Sequence, residues 1–426
     1  MPAKLKTVTL GCKVNQYETE YVREGLVSIG YHDTVADEQA DLCVVNTCTV
    51  TNEGDSKSRQ VIRRLARDNP HARIVVMGCY ATRDPDTVAK LPGVAEVVTD
   101  KRELPDLLGR FGVVDIPTGI SSFGNRHRAY VKVQDGCLLR CSYCIIPQVR
   151  PVMTSRPMDD ILDEVRRLVD NGYREIVLTG VHLGHYGVDG NVQKPKADWT
   201  RLSDLVHQIV KLKGQFRVRL SSIEATELTR ELIQVMVDHP DRICPHLHVC
   251  LQSGSDPVLR RMRRRWSVRR IIDRCQLVKD RLDQPAFTTD VIVGFPGETD
   301  TEFEQTCDAV RQVGFSKIHL FPFSARKGTP AADMPDQLPK RLKSERLGTL
   351  AGIERELRQA YFRSLLGKRL QMLVEEADSN ERGTVTGTSC RYAPVVVNSA
   401  NHAPGSLQDL IVVEASDNQL VGKPCQ

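Results

Sequence analysis

No apolar run in this 426-residue chain reaches the ~18 to 20 residues that cross a membrane. The opening residues, MPAKLKTVTLGC, also lack the apolar centre of a secretory signal, so the expected location is cytoplasmic, with no membrane partner. There is no helical-repeat period and no low-complexity tract, which argues against a solenoid or a long disordered arm. Net charge is only +5, so a nucleic-acid footprint must come from local clusters rather than from the total. What the chain does have is 13 cysteines, poorly explained as disulfides because cytosolic thiols stay reduced. Some of them are better read as metal ligands. With 40% apolar residues the chain is long enough for two or three domains with cores of their own.

Three β-rich runs near the start each finish in cysteine: TVTLGC at Cys12, LCVVNTC at Cys48 and RIVVMGC at Cys79. The intervals between them fit a strand, a crossover helix and the next strand. One interval, SKSRQVIRRLARDN, puts Val61, Ile62 and Leu65 on one helical face and Lys57, Arg64 and Arg67 opposite. A small parallel α/β domain follows, and ligands gather outside the carboxyl ends of such strands, where three sequence-distant thiols would converge. From Ala129 to about Phe323 six strand-like runs (AYVKVQ, EIVLTGV, RVRLSS, HLHVCLQS, TTDVIVGF, KIHLFPF) alternate with helical periods, which predicts an open or partial parallel (β/α)6 barrel. Leu342, Leu347, Leu350, Ile353 and Leu357 then predict a connecting helix between Pro339 and Leu366. After Gly367 the short runs RLQMLVEEA, GTVTGT, APVVVNS and DLIVVEAS predict a small β-barrel. The expected division is 1–118, 119–366 and 367–426, with Gly119 to Arg128 as the first linker.

The stretch VQDGCLLRCSYCIIP spaces Cys137, Cys141 and Cys144 as C-x3-C-x2-C, with no fourth cysteine close by. Three thiolates on one loop can hold three corners of a cuboidal iron–sulfur cluster and leave the fourth iron open for a small-molecule chelate. A structural zinc needs four ligands, and a histidine such as His182 could close that site instead. The basic run RRMRRRWSVRR, Arg260 to Arg270, reads as a phosphate-contacting face with Trp266 for stacking, or else as an ordinary solvated face. His246 and His248 alternate as one strand face does, with a coordinated metal as the other reading. Cys43, Cys244, Cys250, Cys275, Cys307, Cys390 and Cys425 have no tight ligand spacing and read mostly as buried small hydrophobes.

With that spacing, and with Tyr143 just before the last cysteine at the end of the first barrel strand, the sequence resembles the radical S-adenosylmethionine (SAM) enzymes. LGCKVNQYETE, DLCVVNTCTVTNEGDSKSRQ and VMGCYATRDP narrow the resemblance to the methylthiotransferase family. GCLLRCSYCIIPQVRPVMTSRP, LTGVHLGHYG, LQSGSDPVLRRMRRRWS, TTDVIVGFPGETDTEFEQT and FPFSARKGTPAADM continue it over nearly the whole chain. The C-terminal module resembles that family's TRAM RNA-binding domain. RVRLSSIEATEL and HLHVCLQSGS are more similar to the branch acting on N6-threonylcarbamoyladenosine at tRNA position 37 than to the isopentenyladenosine or ribosomal-protein aspartate branches.

The resemblance implies two [4Fe-4S] clusters and SAM: Cys137, Cys141 and Cys144 for the radical cluster, Cys12, Cys48 and Cys79 for an auxiliary one that carries or donates sulfur. In that family the amino and carboxylate groups of SAM chelate the open iron, and one electron cleaves the sulfonium to a carbon radical. Tyr143, Gly180, Glu224, Gln252, Ser253, Val293 and Gly294 are the expected cofactor-binding positions, although Val293 is equally a core strand residue, Gly294 a turn, and Glu224 the partner of a nearby arginine. The implied partners are tRNA, a reductant such as flavodoxin or ferredoxin, and a sulfur source. Two positions depart from the family pattern: Pro151 stands where glycine usually follows Arg150, and Cys250 where this branch often has proline. The rival class is a non-catalytic iron–sulfur or RNA-binding protein on the same scaffold.

Overall fold

The computed structural model describes residues 3–35, 38–124, 126–377, 383–398 and 403–425. Its first sheet is built from β1 (Lys4–Thr9), β2 (Leu42–Thr47), β3 (Arg73–Gly78) and β4 (Val94–Val97), all parallel, with the pair His32–Asp33 on the outer edge of β1. Every residue of β2 is buried, because helices cover both faces of the sheet. Leu42, Val44, Val75 and Met77 pack with Val22 and Leu26 of α1 (Lys13–Ser28), while Cys43, Val45, Ile74 and Val76 pack with Val61, Ile62 and Leu65 of α2 (Asn52–Asp68). The period-two strand pattern thus meets two helical stripes, as the sequence predicts. Helix α2 is started by Thr51, whose hydroxyl accepts the Gly54 N–H at 3.0 Å. The turn from β3 into the short helix α3 (Cys79–Arg83) needs Gly78: its φ is +97°, and a Cβ there would lie 2.5 Å from Thr47 backbone atoms.

The second unit has six parallel strands in sequential order: β5 (Arg128–Asp135), β6 (Glu175–Gly180), β7 (Arg217–Leu220), β8 (His246–Val249), β9 (Ala286–Val293) and β10 (Lys317–Pro322). The two halves meet at a parallel bridge between Val218 and Ile243. Helices α4 (Met158–Asp170), α5 (Leu202–Val210), α6 (Arg230–Asp238), α7 (Val268–Lys279) and α8 (Asp300–Val313) wrap the outside. This is the expected partial barrel, and α1 of the first unit packs against β5 and β6. Helix α9 (Lys340–Ser364) is the expected connector, with Leu350 and Ile353 buried against the barrel.

The stretch Gly119–Arg128, expected as a linker, is tied down. Ile120 and Phe123 are buried, the Ile120 N–H donates to Glu164 Oε1 at 2.8 Å, and the Ser121 N–H donates to Glu24 Oε2 at 2.8 Å. Asn125 in that stretch, and Ser399 at the end of APVVVNS, lie outside the described residues.

The C-terminal strands β11 (Arg369–Ala377), β12 (Thr384–Ser389), β13 (Pro394–Asn398), β14 (Leu407–Ala415) and β15 (Leu420–Pro424) close into a barrel. The fifth strand, LVGKP, is not evident from sequence, since its glycine and proline read as a tail. The module packs directly against the larger barrel. The turn after β12 fills the floor of the lumen: Arg217 donates to the Gln371 carbonyl at 2.7 Å, Arg219 to the Ser389 carbonyl at 3.0 Å, and the Tyr392 ring stacks on His246 at 4.7 Å. Beneath it the fully buried Glu175 pairs with Arg217 at 2.6 Å and Arg219 at 2.9 Å. Burial opposes its ionisation, but Arg219, Arg217 and Arg128 outweigh that and hold the carboxyl well below its usual range. Glu175→Gln leaves buried guanidinium groups uncompensated, so urea unfolding should show a loss of about 3–5 kcal/mol at neutral pH. Because the folded pKa is depressed, that contribution is present above the unfolded carboxyl value and fades as pH falls towards the folded one.

Candidate functional site

The loop leaving β5 carries Cys137, Cys141 and Cys144, and close packing shapes it. Gly136 has φ +76° and lies so near the Val152 carbonyl that a Cβ would approach it to 2.0 Å. The Cys137 N–H donates to the Arg150 carbonyl at 3.4 Å, and the Cys144 N–H to the Cys141 carbonyl at 3.1 Å. The three side chains are free thiols, near enough to disturb one another's ionisation. Burial pushes the Cys144 thiol up to about 12, and its two neighbours add to the rise. Such thiols stay protonated until a metal displaces the proton. Arg264 supplies compensating charge: Nη1 lies 3.7 Å from Cys141 Sγ, and Nη2 donates to Glu224 Oε2 at 2.5 Å and to the Cys250 carbonyl at 3.3 Å.

That placement corrects the reading of the basic run as a single phosphate-facing surface. Arg264 points inward with 3% of its side chain exposed, Arg261 pairs with Glu302 at 2.7 Å, and Trp266 is buried with Arg264 stacked 4.4 Å over its ring. Trp266 therefore packs rather than presenting a face to RNA. Arg260, Arg263, Arg265 and Arg270 remain exposed. The run could not be sorted from sequence because the inward residue lies among like charges, just past the six-residue helix Asp256–Arg261. Arg264 is the residue at this site that the sequence reading missed.

Cys12, Cys48 and Cys79 follow β1, β2 and β3 at their carboxyl ends, where the parallel sheet predicts convergence. A Cβ on Gly11 would lie 3.2 Å from Cys48 Sγ, and Cys12 and Cys79 both act on the ionisation of Cys48. Cys12 is exposed and Cys79 buried, so the group opens on one side. The surrounding protein still desolvates the sulfur and raises the Cys12 thiol, and Arg150 partly offsets this.

The surroundings of each of these three cysteines are held from the other unit. Beside Cys12, Arg150 donates to Asn15 Oδ1 at 3.0 Å and to Glu18 at 2.8 Å, and the Cys12 thiol lies 3.7 Å from the same Asn15 oxygen. Behind Cys48, Arg326 donates to Thr49 Oγ1 at 2.5 Å and to Asp55 at 2.7 Å. Cys79 forms a small buried cluster with Ile145 and Val149, the residues that follow Cys144. The two cysteine groups are thereby locked to each other. Pro151 is exposed beside this strut, and no described hydrogen bond requires an N–H there.

The other candidate residues lie around the upper rim of the barrel. Tyr143 meets Phe295 edge-on at 6.5 Å, and Gly180 ends β6 against Gln134, whose Cβ would stand 3.1 Å from a Cβ on the glycine. Glu224 is buried, and burial raises its carboxyl despite the Arg264 pair. Gln252 has φ +65°, with its N–H on the Asp290 carbonyl and its own carbonyl accepting from the Ile292 N–H, both at 2.9 Å. Ser253 is fully buried with its hydroxyl 3.3 Å from Thr306 Oγ1, and Val293 is fully buried in the wall. Gly294, at φ +71°, packs against the stem of Lys343, where a Cβ would approach to 2.4 Å. His182 Nδ1 lies 3.7 Å from Cys137 Sγ, with Nε2 on Glu227.

A strand-ordered partial barrel with a three-thiol loop after its first strand defines the radical SAM class, and the Radical SAM superfamily model matches residues 131–310. Residues 4–100 match a model described as Uncharacterized protein family UPF0004. The fold resembles the radical SAM methyltransferase TsrM from Kitasatospora setae, at TM-score 0.56 and 14% identity over 78% of this chain and 75% of that one. In sequence the chain is 39% identical to the threonylcarbamoyladenosine tRNA methylthiotransferase MtaB of Bacillus subtilis (strain 168), covering 96% of this chain and 93% of the relative. The corresponding protein of Thermotoga maritima is 38% identical over 87% of each chain. A tRNA-2-methylthio-N(6)-dimethylallyladenosine synthase of Corynebacterium diphtheriae is 34% identical, covering 96% of this chain and 84% of the relative. The chain belongs to the radical SAM methylthiotransferase family, whose cofactors are SAM and two [4Fe-4S] clusters. Both cysteine groups fit that requirement, each supplying three thiols with cationic groups beside them. The distance from His182 to Cys137 would also suit a zinc ligand, and family membership decides for iron and sulfur.

Proposed function

We propose that the protein installs a methylthio group on C2 of N6-threonylcarbamoyladenosine beside the tRNA anticodon. The observation that carries this reading is the pair of cysteine groups linked through Arg150, Arg326 and Ile145, in a chain whose threonylcarbamoyladenosine relatives align over most of their length. Cys137, Cys141 and Cys144 hold the radical-site cluster, and Cys12, Cys48 and Cys79 the auxiliary one. When bound, these groups and SAM supply a carbon radical and a sulfur to be methylated and transferred. The chain's own residues do the rest. Arg264 balances thiolate charge, Glu224 and Gln252 line the SAM side with Tyr143, Gly180, Ser253, Val293 and Gly294 around them, and the tethers keep the two sites in register. Residues 1–118, 119–366 and 367–426 act as the auxiliary, radical and RNA-binding parts. A flavodoxin- or ferredoxin-type reductant and a separate sulfur source complete the reaction in the cytoplasm. Among the described residues no helix is long and apolar enough to cross a membrane.

Mass spectrometry of tRNA nucleosides from a deletion strain and its parent tests the reading. Loss of the methylthio form of threonylcarbamoyladenosine supports it, and loss of the isopentenyl counterpart alone overturns it. The exposed arginines Arg260, Arg263, Arg265 and Arg270 should contact the tRNA backbone. Neutralising Arg263 and Arg265 should weaken cognate and non-cognate tRNA alike and flatten the log affinity against log salt plot by roughly 0.7 to 0.9 for each phosphate no longer neutralised. Unchanged affinity and slope would assign them to an ordinary solvated face.

A further inference from the structure

The lumen wall below the rim holds polar groups that neither the cysteines nor the expected SAM positions use. Leu247, Val249, Phe287, Val291 and Ile318 point into the helix-covered core. The alternate residues His248, Thr288, Asp290, His319 and Phe321 therefore face the lumen. His248, Asp290 and His319 have polar atoms within 4.8 Å of one another. Thr288 Oγ1 orients His248 through Nδ1 at 3.0 Å, leaving His248 Nε2 without a hydrogen bond, 3.4 Å from Asp290 Oδ2. Below, His246 and Tyr392 close the floor. The charge of Lys13, the residue after Cys12, reaches both His319 and His246. Two positions above His319, Phe321 presents 48% of its surface.

We propose that this pocket of His248, Asp290 and His319 receives the threonylcarbamoyl substituent and selects it over a hydrocarbon one. The inference rests on the threonylcarbamoyladenosine reading of the reaction. That substituent carries a carboxylate, a hydroxyl and ureido N–H groups. The imidazoles donate to the carboxylate, and Asp290 accepts from the hydroxyl or a ureido N–H. An isopentenyl chain would leave all of these polar groups unpaired, which is the strong form of discrimination. Phe321, two positions above His319 and half exposed, is available to stack on the adenine ring.

The test uses the reconstituted full-length enzyme and anticodon stem-loops bearing the threonylcarbamoyl group as free acid or as methyl ester, which removes the charge and adds one methyl group. In the wild type, kcat/KM for the ester should fall at least tenfold relative to the acid, mainly through KM. In the double variant His248→Leu/His319→Leu the two substrates should come within about twofold, and Asp290→Asn should lower kcat/KM for both. The acid-to-ester ratio is internal to each protein, so partial misfolding does not move it. A wild-type ratio retained in the double variant would overturn the inference, as would one equivalent of a divalent metal other than iron that is lost with Asp290→Asn. A wild-type enzyme that modifies only isopentenyl stem-loops would instead overturn the functional reading itself.

Discussion

Alanine at Cys137, Cys141 and Cys144 together should leave a folded protein with about half the iron and no reductive cleavage of SAM. The cost to folding is small because the loop is held by backbone bonds from Cys137 to Arg150 and from Cys144 to Cys141, which alanine keeps. The matching replacement of Cys12, Cys48 and Cys79 should remove the other half of the iron, spare part of the cleavage and abolish methylthio transfer. Those thiols sit on a separate sheet, in contact with the radical site only through its neighbours. Mössbauer spectra with iron counts on both variants decide the matter. Loss of all iron from either folded triple variant would rule out two independent sites.

Arg150→Met should be the most damaging single change outside the cysteines. The guanidinium is buried and serves Glu18 and Asp135 at 2.8 Å and Asn15 at 3.0 Å, so its removal leaves Lys132, 2.9 Å from each carboxylate, as one cation for two anions in a low-dielectric seam. Burial of the arginine is opposed by those carboxylates, which hold it charged. A loss of about 3–5 kcal/mol is expected on denaturant unfolding. The auxiliary iron should fall further than the radical iron, because Arg150 is the cation that eases ionisation of the Cys12 thiol and Asn15 loses its third partner beside it. Arg150→Lys should not rescue it, since one ammonium cannot span three acceptors in a planar fork. Full recovery with lysine, or equal loss from both sites, would show that the bridge does not set the auxiliary geometry.

Much of this architecture is written locally. The strand that ends in cysteine, the C-x3-C-x2-C loop and the leucine stripe of α9 declare themselves through period and spacing, and each appears where its pattern puts it. A parallel sheet also makes convergence of Cys12, Cys48 and Cys79 a consequence of topology rather than of separation along the chain. The floor of the lumen was not legible, because Tyr392 meets His246 and Arg219 only after two distant units dock, and nothing in the period of GTVTGT or APVVVNS marks the turn between them.

The same limit separates what the chain determined by itself from what the tertiary structure decided. Sequence alone indicated most of the strands and helices, the fifth strand of the C-terminal barrel excepted, and the close spacing of Cys137, Cys141 and Cys144, since these depend on neighbours within a few residues. Tertiary packing decided which arginines are structural. Arg263 and Arg264 are adjacent members of one basic run, yet the first is exposed and the second lies at 3.7 Å from a thiol, beside a buried carboxylate. It likewise joined Arg150 to Asn15, and His248 to Asp290 and His319. The physical reason is desolvation: a charge is identical in every sequence position, and only the fold determines which charges leave water and must find partners there.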